Sequence, residues 1–122
     1  MNKPKAVLVG VNNEFLLVTS IIRGMIGMTD PDQDFIFNEV DISDLDLGRL
    51  IKEKLNESKE VSFEEFQAIF NSEKMKGLQK NLEEEMKKRY GYKNKKSIYK
   101  DMSSLSLEQD DLYITISPLH QD

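Results

Sequence analysis

The stretch Tyr90–Pro118, YGYKNKKSIYKDMSSLSLEQDDLYITISP, decides the fold. In its second half Leu105 and Leu107 alternate with polar residues, and after a polar break at Glu108–Asp111 the residues Leu112, Ile114 and Ile116 alternate again. Successive side chains of an extended strand point to opposite faces. Period-two runs on both sides of a short polar loop therefore predict a hairpin that closes a sheet. The first half is basic, with Lys93, Lys95, Lys96 and Lys100 interleaved with Tyr92, Ile98 and Tyr99. It reads either as a small nucleic-acid patch or as a solvated strand edge, where lysine discourages sheet-to-sheet pairing. The chain's net charge of −5 favours the strand edge.

Outward from that stretch, the preceding residues are helical. Met75, Leu78, Leu82, Met86 and Tyr90 form one stripe of a helix that starts near Ser72, and Gly91 supplies its stop. Glu83 with Lys87, Glu84 with Lys88 and Glu85 with Arg89 are i, i+4 pairs in the favourable order. Ser62-Phe63-Glu64-Glu65 is a capping box ahead of a short apolar face of Phe63, Phe66, Ile69 and Phe70. Ser43 or Asp44 caps an earlier helix with Leu47, Leu50, Ile51 and Leu55 in its stripe. Gly48 weakens that helix and is expected to serve close packing.

At the start, Ala6–Val11 is apolar on both faces, as in a central strand. Asn12-Asn13 suits the positive φ of a tight turn, and Glu14–Ile22 returns as a second strand. Residues Arg23–Asp34 have loop chemistry, and Phe35–Phe37 is predicted as the third strand. The expectation is a single α+β domain over residues 1–122. It has a mostly antiparallel sheet of about five strands, with about three helices inserted in the middle of the chain.

Composition narrows the function. A chain of this length buries roughly two-thirds of its unfolded surface, enough for one core. The absence of cysteine excludes disulfides and thiolate zinc sites. The negative charge argues against nucleic acid as the main ligand and suits a basic protein partner. No run approaches the about 18 apolar residues of a membrane helix. The apolar run behind Met1–Lys5 is too short for a signal peptide, so a cytoplasmic protein with no membrane partner is expected. His120 is the sole histidine and would have only carboxylates beside it at a zinc site, so neither metal nor cofactor is expected. Glu64-Glu65 and Glu83–Glu85 point to different helix faces and form no acid/base pair. A protein without catalytic residues is expected. The alternatives are a self-associating domain that pairs its sheet edges and a small hydrolase using His120.

One acidic segment stands out. Asp30, Asp32, Asp34, Glu39, Asp41, Asp44 and Asp46 lie between Arg23 and Arg49 with no Lys or Arg among them. They read as a docking surface for a basic partner, or as turn and cap chemistry, for which aspartate is favoured.

The residues Tyr90-Gly91-Tyr92-Lys93, Tyr99-Lys100-Asp101-Met102, Ile114–Pro118 and His120 together resemble the C-terminal core of the CdiI-type contact-dependent growth inhibition immunity proteins. Arg23-Gly24 after an apolar strand and Leu47-Gly48 opening a helix also look like family positions. Departures are Ile22 where relatives carry Trp and Leu105 where they often carry Cys. Relatives also continue past the His with a Trp-bearing segment, a strand and a helix. The resemblance implies a stoichiometric, one-to-one inhibitor of the C-terminal toxin domain of a CdiA-type effector, commonly a basic nuclease. It also implies that a toxin hairpin can add to the immunity protein's sheet, a form of β-augmentation. The seven acidic residues are then the expected toxin contacts.

Overall fold

The computed structural model describes residues 4–119. In chain order the elements are β1 (Lys5–Val11), β2 (Leu16–Arg23), β3 (Gly27–Thr29), α1 (Asp44–Glu57), β4 (Lys59–Glu60), α2 (Phe63–Phe70), α3 (Glu73–Tyr90), α4 (Lys95–Tyr99), β5 (Ser103–Gln109) and β6 (Ile114–Leu119). The strands pair in the order β3-β2-β1-β5-β6, and all of these pairings are antiparallel. The α+β class and the two terminal hairpins are as the sequence predicts. Strand β1 is central, with Val9 opposite Val18 on one side and Leu105 on the other.

Each sheet face has its own core, because strand side chains alternate. Val7, Val9, Leu16, Val18 and Leu107 share one face, and α1 lays Leu47, Leu50, Ile51 and Leu55 against it. The second core joins Phe15 and Leu17 to Met86 of α3 and Ile98 of α4, with Phe35, Phe37 and Tyr90 around them. Fully buried Phe15 stacks on Tyr90 at 5.1 Å and meets Phe37 edge-on at 5.2 Å. Side chains buried this completely each contribute on the order of 2 kcal/mol.

Several local expectations give way to tertiary contacts. The first turn uses no positive φ; the Asn12 side chain builds it by accepting from the Glu14 and Phe15 N–H groups. The third strand is Gly27–Thr29, inside the predicted loop, because it can pair with the end of β2. Phe35–Phe37 forms no strand; its phenylalanines are drawn into the second core, and only Asn38 beyond it bridges to Leu16. Strand β4 pairs parallel with Ile22 and Arg23, and the Ser58 hydroxyl joins it to the sheet by accepting from Ala6 N–H and donating to the Ile21 carbonyl. Leu112 lies in the last turn, where Asp110 accepts from the Leu112 and Tyr113 N–H groups, and not in a strand.

The basic stretch is not a strand edge. Asn94 and Ser97 form a reciprocal capping box that starts α4, and Ile98 is buried beneath it. Ser43 caps α1, Ser72 caps α3, and Ser62 caps α2 through the Glu65 N–H alone. Gly91, at φ 73°, ends α3 in the left-handed conformation. Of the anticipated pairs along α3, Glu85 with Arg89 forms, at 3.3 Å. Glu83 instead turns to α4, accepting from Tyr99 Oη and Gln79 Nε2, both at 2.8 Å. The close-packing glycine is Gly24, where a Cβ would stand 2.3 Å from the Phe66 ring, whereas a Cβ on Gly48 would meet nothing. No helix among the described residues is long and apolar enough to cross a membrane.

Candidate functional site

The acidic segment runs back along the open edge of β2. Asp30 N–H donates to the Ser20 carbonyl at 3.1 Å, and Asn38 bonds Leu16 through both its N–H and its carbonyl, at 2.9 Å each. Between them Gln33 takes the place of a strand. Its Oε1 accepts from Ser20 N–H at 2.8 Å, and its Nε2 donates to the Ser20 carbonyl at 2.9 Å. A side-chain amide carries one acceptor and a donor group, as a peptide does, and so can close a ladder position.

Beneath this loop lies Lys54 of α1, with its side chain only 4% exposed. Its Nζ donates to the Asp34 carbonyl at 2.8 Å and to Gln33 Oε1 at 3.3 Å. The Ser20 hydroxyl donates to the Lys54 carbonyl at 2.6 Å, which ties strand, loop and helix together. A buried ammonium is tolerated only when its donors are used, so these bonds fix the course of the segment.

The seven anticipated residues are placed unequally. Asp30 is only 9% exposed and accepts from Asp32 N–H, so it shapes the loop from within. Asp32, Asp34, Glu39, Asp41, Asp44 and Asp46 are exposed. Asp32 accepts from Lys74 Nζ of α3 at 2.8 Å, and this bond holds its carboxyl below the usual range and the lysine above its own. Asp44 and Asp46 occupy the first turn of α1, where the positive end of the helix dipole favours them. Arg49 lies 3.9 Å from Asp46. Cap chemistry and an outward acidic face therefore coexist in the same residues.

Sequence reasoning did not find the concavity beside these acids. The loop and α3 enclose a groove of about 410 Å³ whose walls include Asp32, Asp34, Phe35, Lys74, Leu82 and Arg89. Arg89 sits 5.3 Å above the Phe37 ring, a cation–π contact that helps set one wall. The apolar spacing of Phe35 and Phe37 was the one available signal. Across α3, burial raises the Tyr99 hydroxyl, and its bond to Glu83 adds to this, pushing it up to about 12. Burial also raises the Glu83 carboxyl, but bonds from Gln79 and Tyr99 with the charges of Lys95 and Lys87 outweigh it and hold Glu83 below the ordinary range. This cluster locks α4, and with it the approach to β5, onto α3. Among the described residues no group of three or more His, Cys, Asp or Glu could hold a metal ion, and His120 lies outside them.

The same architecture occurs in solved structures. A protein of unknown function from Neisseria meningitidis superposes with a TM-score of 0.85 at 19% identity, over 97% of this chain and 74% of that one. A chain of the CdiA-CT/CdiI toxin and immunity complex from Yersinia pseudotuberculosis superposes with a TM-score of 0.80 at 25% identity, over 96% of this chain and 74% of that one. In sequence, the immunity protein CdiI-YPIII of Yersinia pseudotuberculosis serotype O:3 is 27% identical over 128 residues, which cover 93% of this chain and 71% of the relative. Residues 5–122 match the family model of CdiI, the CDI immunity protein, and the chain belongs to that family.

Proposed function

We propose that the protein binds the C-terminal toxin domain of its cognate CdiA effector and holds it inactive in the cytoplasm of the producing cell. The observation that carries this reading is the family match over residues 5–122. The likeness to a chain from a toxin and immunity complex supports it. Inhibition is stoichiometric, one immunity protein to one toxin, and involves no catalysis by this chain.

The acidic edge supports a basic partner. A nuclease must carry a surplus of Lys and Arg to hold phosphates, so its surface is attracted to a complementary acidic one. Asp34, Glu39, Asp41 and Asp44 carry this attraction, Asp32 and Asp46 add to it beside their cationic neighbours, and Asp30 keeps the loop in shape. Long-range attraction acts on the rate of encounter, and salt screens it beyond about 8 Å at physiological ionic strength.

Co-expression with the toxin domain encoded directly upstream, scored by growth and co-purification, tests the function. Rescue with a stable complex is expected. A toxin that this chain neither binds nor neutralises would overturn the pairing. Replacing Asp34, Glu39, Asp41 and Asp44 by lysine should slow association at least tenfold at low salt, the scale on which steering operates. An unchanged on-rate would remove these residues from the contact set while leaving the function standing.

A further inference from the structure

The groove between the acidic loop and α3 follows the helix from Lys74 to Arg89, a span of about 22 Å at the helical rise. None of its walls comes from β5 or β6. Its charges pair off toward the two ends. Lys74 Nζ donates to Asp32 at 2.8 Å, and Arg89 Nε meets Glu85 at 3.3 Å while its guanidinium lies over Phe37. In the loop between Asp32 and Phe37 stands Asp34. Its side chain is exposed, and among the described residues no cation forms an ion pair with it. Its backbone carbonyl accepts from buried Lys54 Nζ at 2.8 Å, so the carboxylate is presented from a fixed position. Leu78 and Leu82 give the α3 wall an apolar surface, and Phe35 adds a ring to the loop wall. The lining thus carries three carboxylates against two cations, and both cations are already paired.

We propose that this groove seats one arginine side chain of the bound toxin domain, with Asp34 as the acceptor of its guanidinium. The inference rests on the proposed function and names one anchoring contact within it. The arginine stem lies along Leu78 and Leu82, as long cationic side chains do on apolar surface. Its planar head meets the Asp34 carboxylate through two parallel N–H bonds and lies flat against Phe35. The loop wall already accepts this arrangement from within the chain, since Arg89 lies 5.3 Å over Phe37.

Other occupants fit this lining less well. An apolar side chain would strip water from the Asp34 carboxylate and give it no partner. An acidic one would meet Asp34 directly, and Lys74 and Arg89 could receive it only by giving up Asp32 and Glu85. A lysine has the charge but neither the planar face nor the paired donors that match a carboxylate beside a ring. The groove is also continuous with the acidic face, because Asp32 and Asp34 belong to both. A basic surface drawn in by Glu39, Asp41 and Asp44 therefore arrives beside it. Steering and anchoring then separate: the open acids act on the rate of encounter, and Asp34 acts also on the lifetime of the complex.

Dissociation of the complex with the toxin domain encoded directly upstream is expected to speed on the order of tenfold or more in Asp34→Asn. It should speed further in Leu78→Arg, which fills the groove with a cation of its own. This change in off-rate should persist at high salt, whereas neutralising Glu39, Asp41 and Asp44 should change the on-rate and fade with salt. Asp34→Asn keeps the backbone bond to Lys54, so its circular dichroism is expected to match the parent chain. Without any toxin, N-acetyl-arginine amide should cause saturable shifts in the backbone amide resonances of residues 33–35 and 78–82, and Asp34→Asn should abolish them. The citrulline amide, of the same shape without the charge, should cause none. No shift with the arginine amide, or an equal shift with the citrulline amide or with N-acetyl-glutamate amide, would overturn the proposal. So would a toxin complex whose off-rate is unchanged in both variants. A toxin domain that does not bind the parent chain would instead remove the proposed function, and the titration would still decide whether the groove takes an arginine.

Discussion

The two flanks of the sheet are treated in opposite ways. Along β2 the outer positions at Leu16, Ser20 and Ile22 are occupied, by Asn38, by Gln33 with Asp30, and by Met28 of β3. Along β6 every described residue is exposed, and the backbone groups of Ile114 and Ile116 point away from the sheet. The covered flank is closed by the short β3, by backbone groups of a loop without regular structure and by the Gln33 side chain, held from below by Lys54. The bare flank is the more regular strand of the two. Regularity and closure are separate properties: a strand is made by its own alternation, and an edge is closed only by something brought to it from elsewhere in the chain.

Five substitutions test that contrast and the packing behind it. The largest effect is expected at Gln33→Ala, which strips the buried Ser20 N–H and Lys54 Nζ of an acceptor. The expected loss is on the order of 2–3 kcal/mol, read as a lower urea midpoint. A loss of less than about 0.5 kcal/mol would show that the amide does not hold the edge.

A smaller loss, about 1 kcal/mol, is expected for Tyr99→Phe, which removes from the clamp between α3 and α4 the bond donated to Glu83 and the bond accepted from Gln79. This cluster also sets a pH dependence. The Glu83 carboxyl is held below its ordinary value, so its contribution is complete above the unfolded carboxylate range and is lost as pH falls through the folded value. The Tyr99 hydroxyl is raised to about 12, so its contribution is complete below its unfolded value and is lost as pH rises from there through about 12. Thermal melts of Glu83→Gln should flatten the acid limb, and melts of Tyr99→Phe the alkaline one. Unchanged limbs would place the titration elsewhere.

Gly48→Ala is expected to gain about 0.5–1 kcal/mol, since its Cβ meets nothing and alanine favours the helix. A loss there would mean that α1 is more closely packed than its exposed face shows. The smallest change is expected at the bare flank. Leu112→Ser, at an 86%-exposed turn residue, should stay within about 0.5 kcal/mol. A larger loss would show that the turn is packed against another part of the chain.

Part of the candidate site was legible before any contact was known. Six of the seven acids reach the surface as a charged segment should, and Asp44 and Asp46 also sit where a helix start favours them. Asp30 is turned inward, and its burial depends on Ser20 and Gln33, which lie in a strand and a loop that only tertiary pairing brings together. The groove was invisible for the same reason: its walls come from positions as far apart as Pro31 and Arg89.

What the sequence by itself determined is what neighbours within a few positions decide. An apolar run made β1, β-branched and aromatic residues made β2, alternation made the β5–β6 hairpin, the spacing of Leu47, Leu50, Ile51 and Leu55 made the buried stripe of α1, and Ser43, Ser62, Ser72 and Gly91 set helix ends. Only the tertiary structure decided that β5 completes its pairing on β1, that Gln33 stands in for a strand, that Gly24 and not Gly48 is the position without room, and that the tyrosine-bearing basic stretch folds into α4. Most of those outcomes depend on atoms supplied from tens of residues away, whose arrival local propensity does not encode. The start of α4 is the exception, since the Asn94–Ser97 capping box was local and readable.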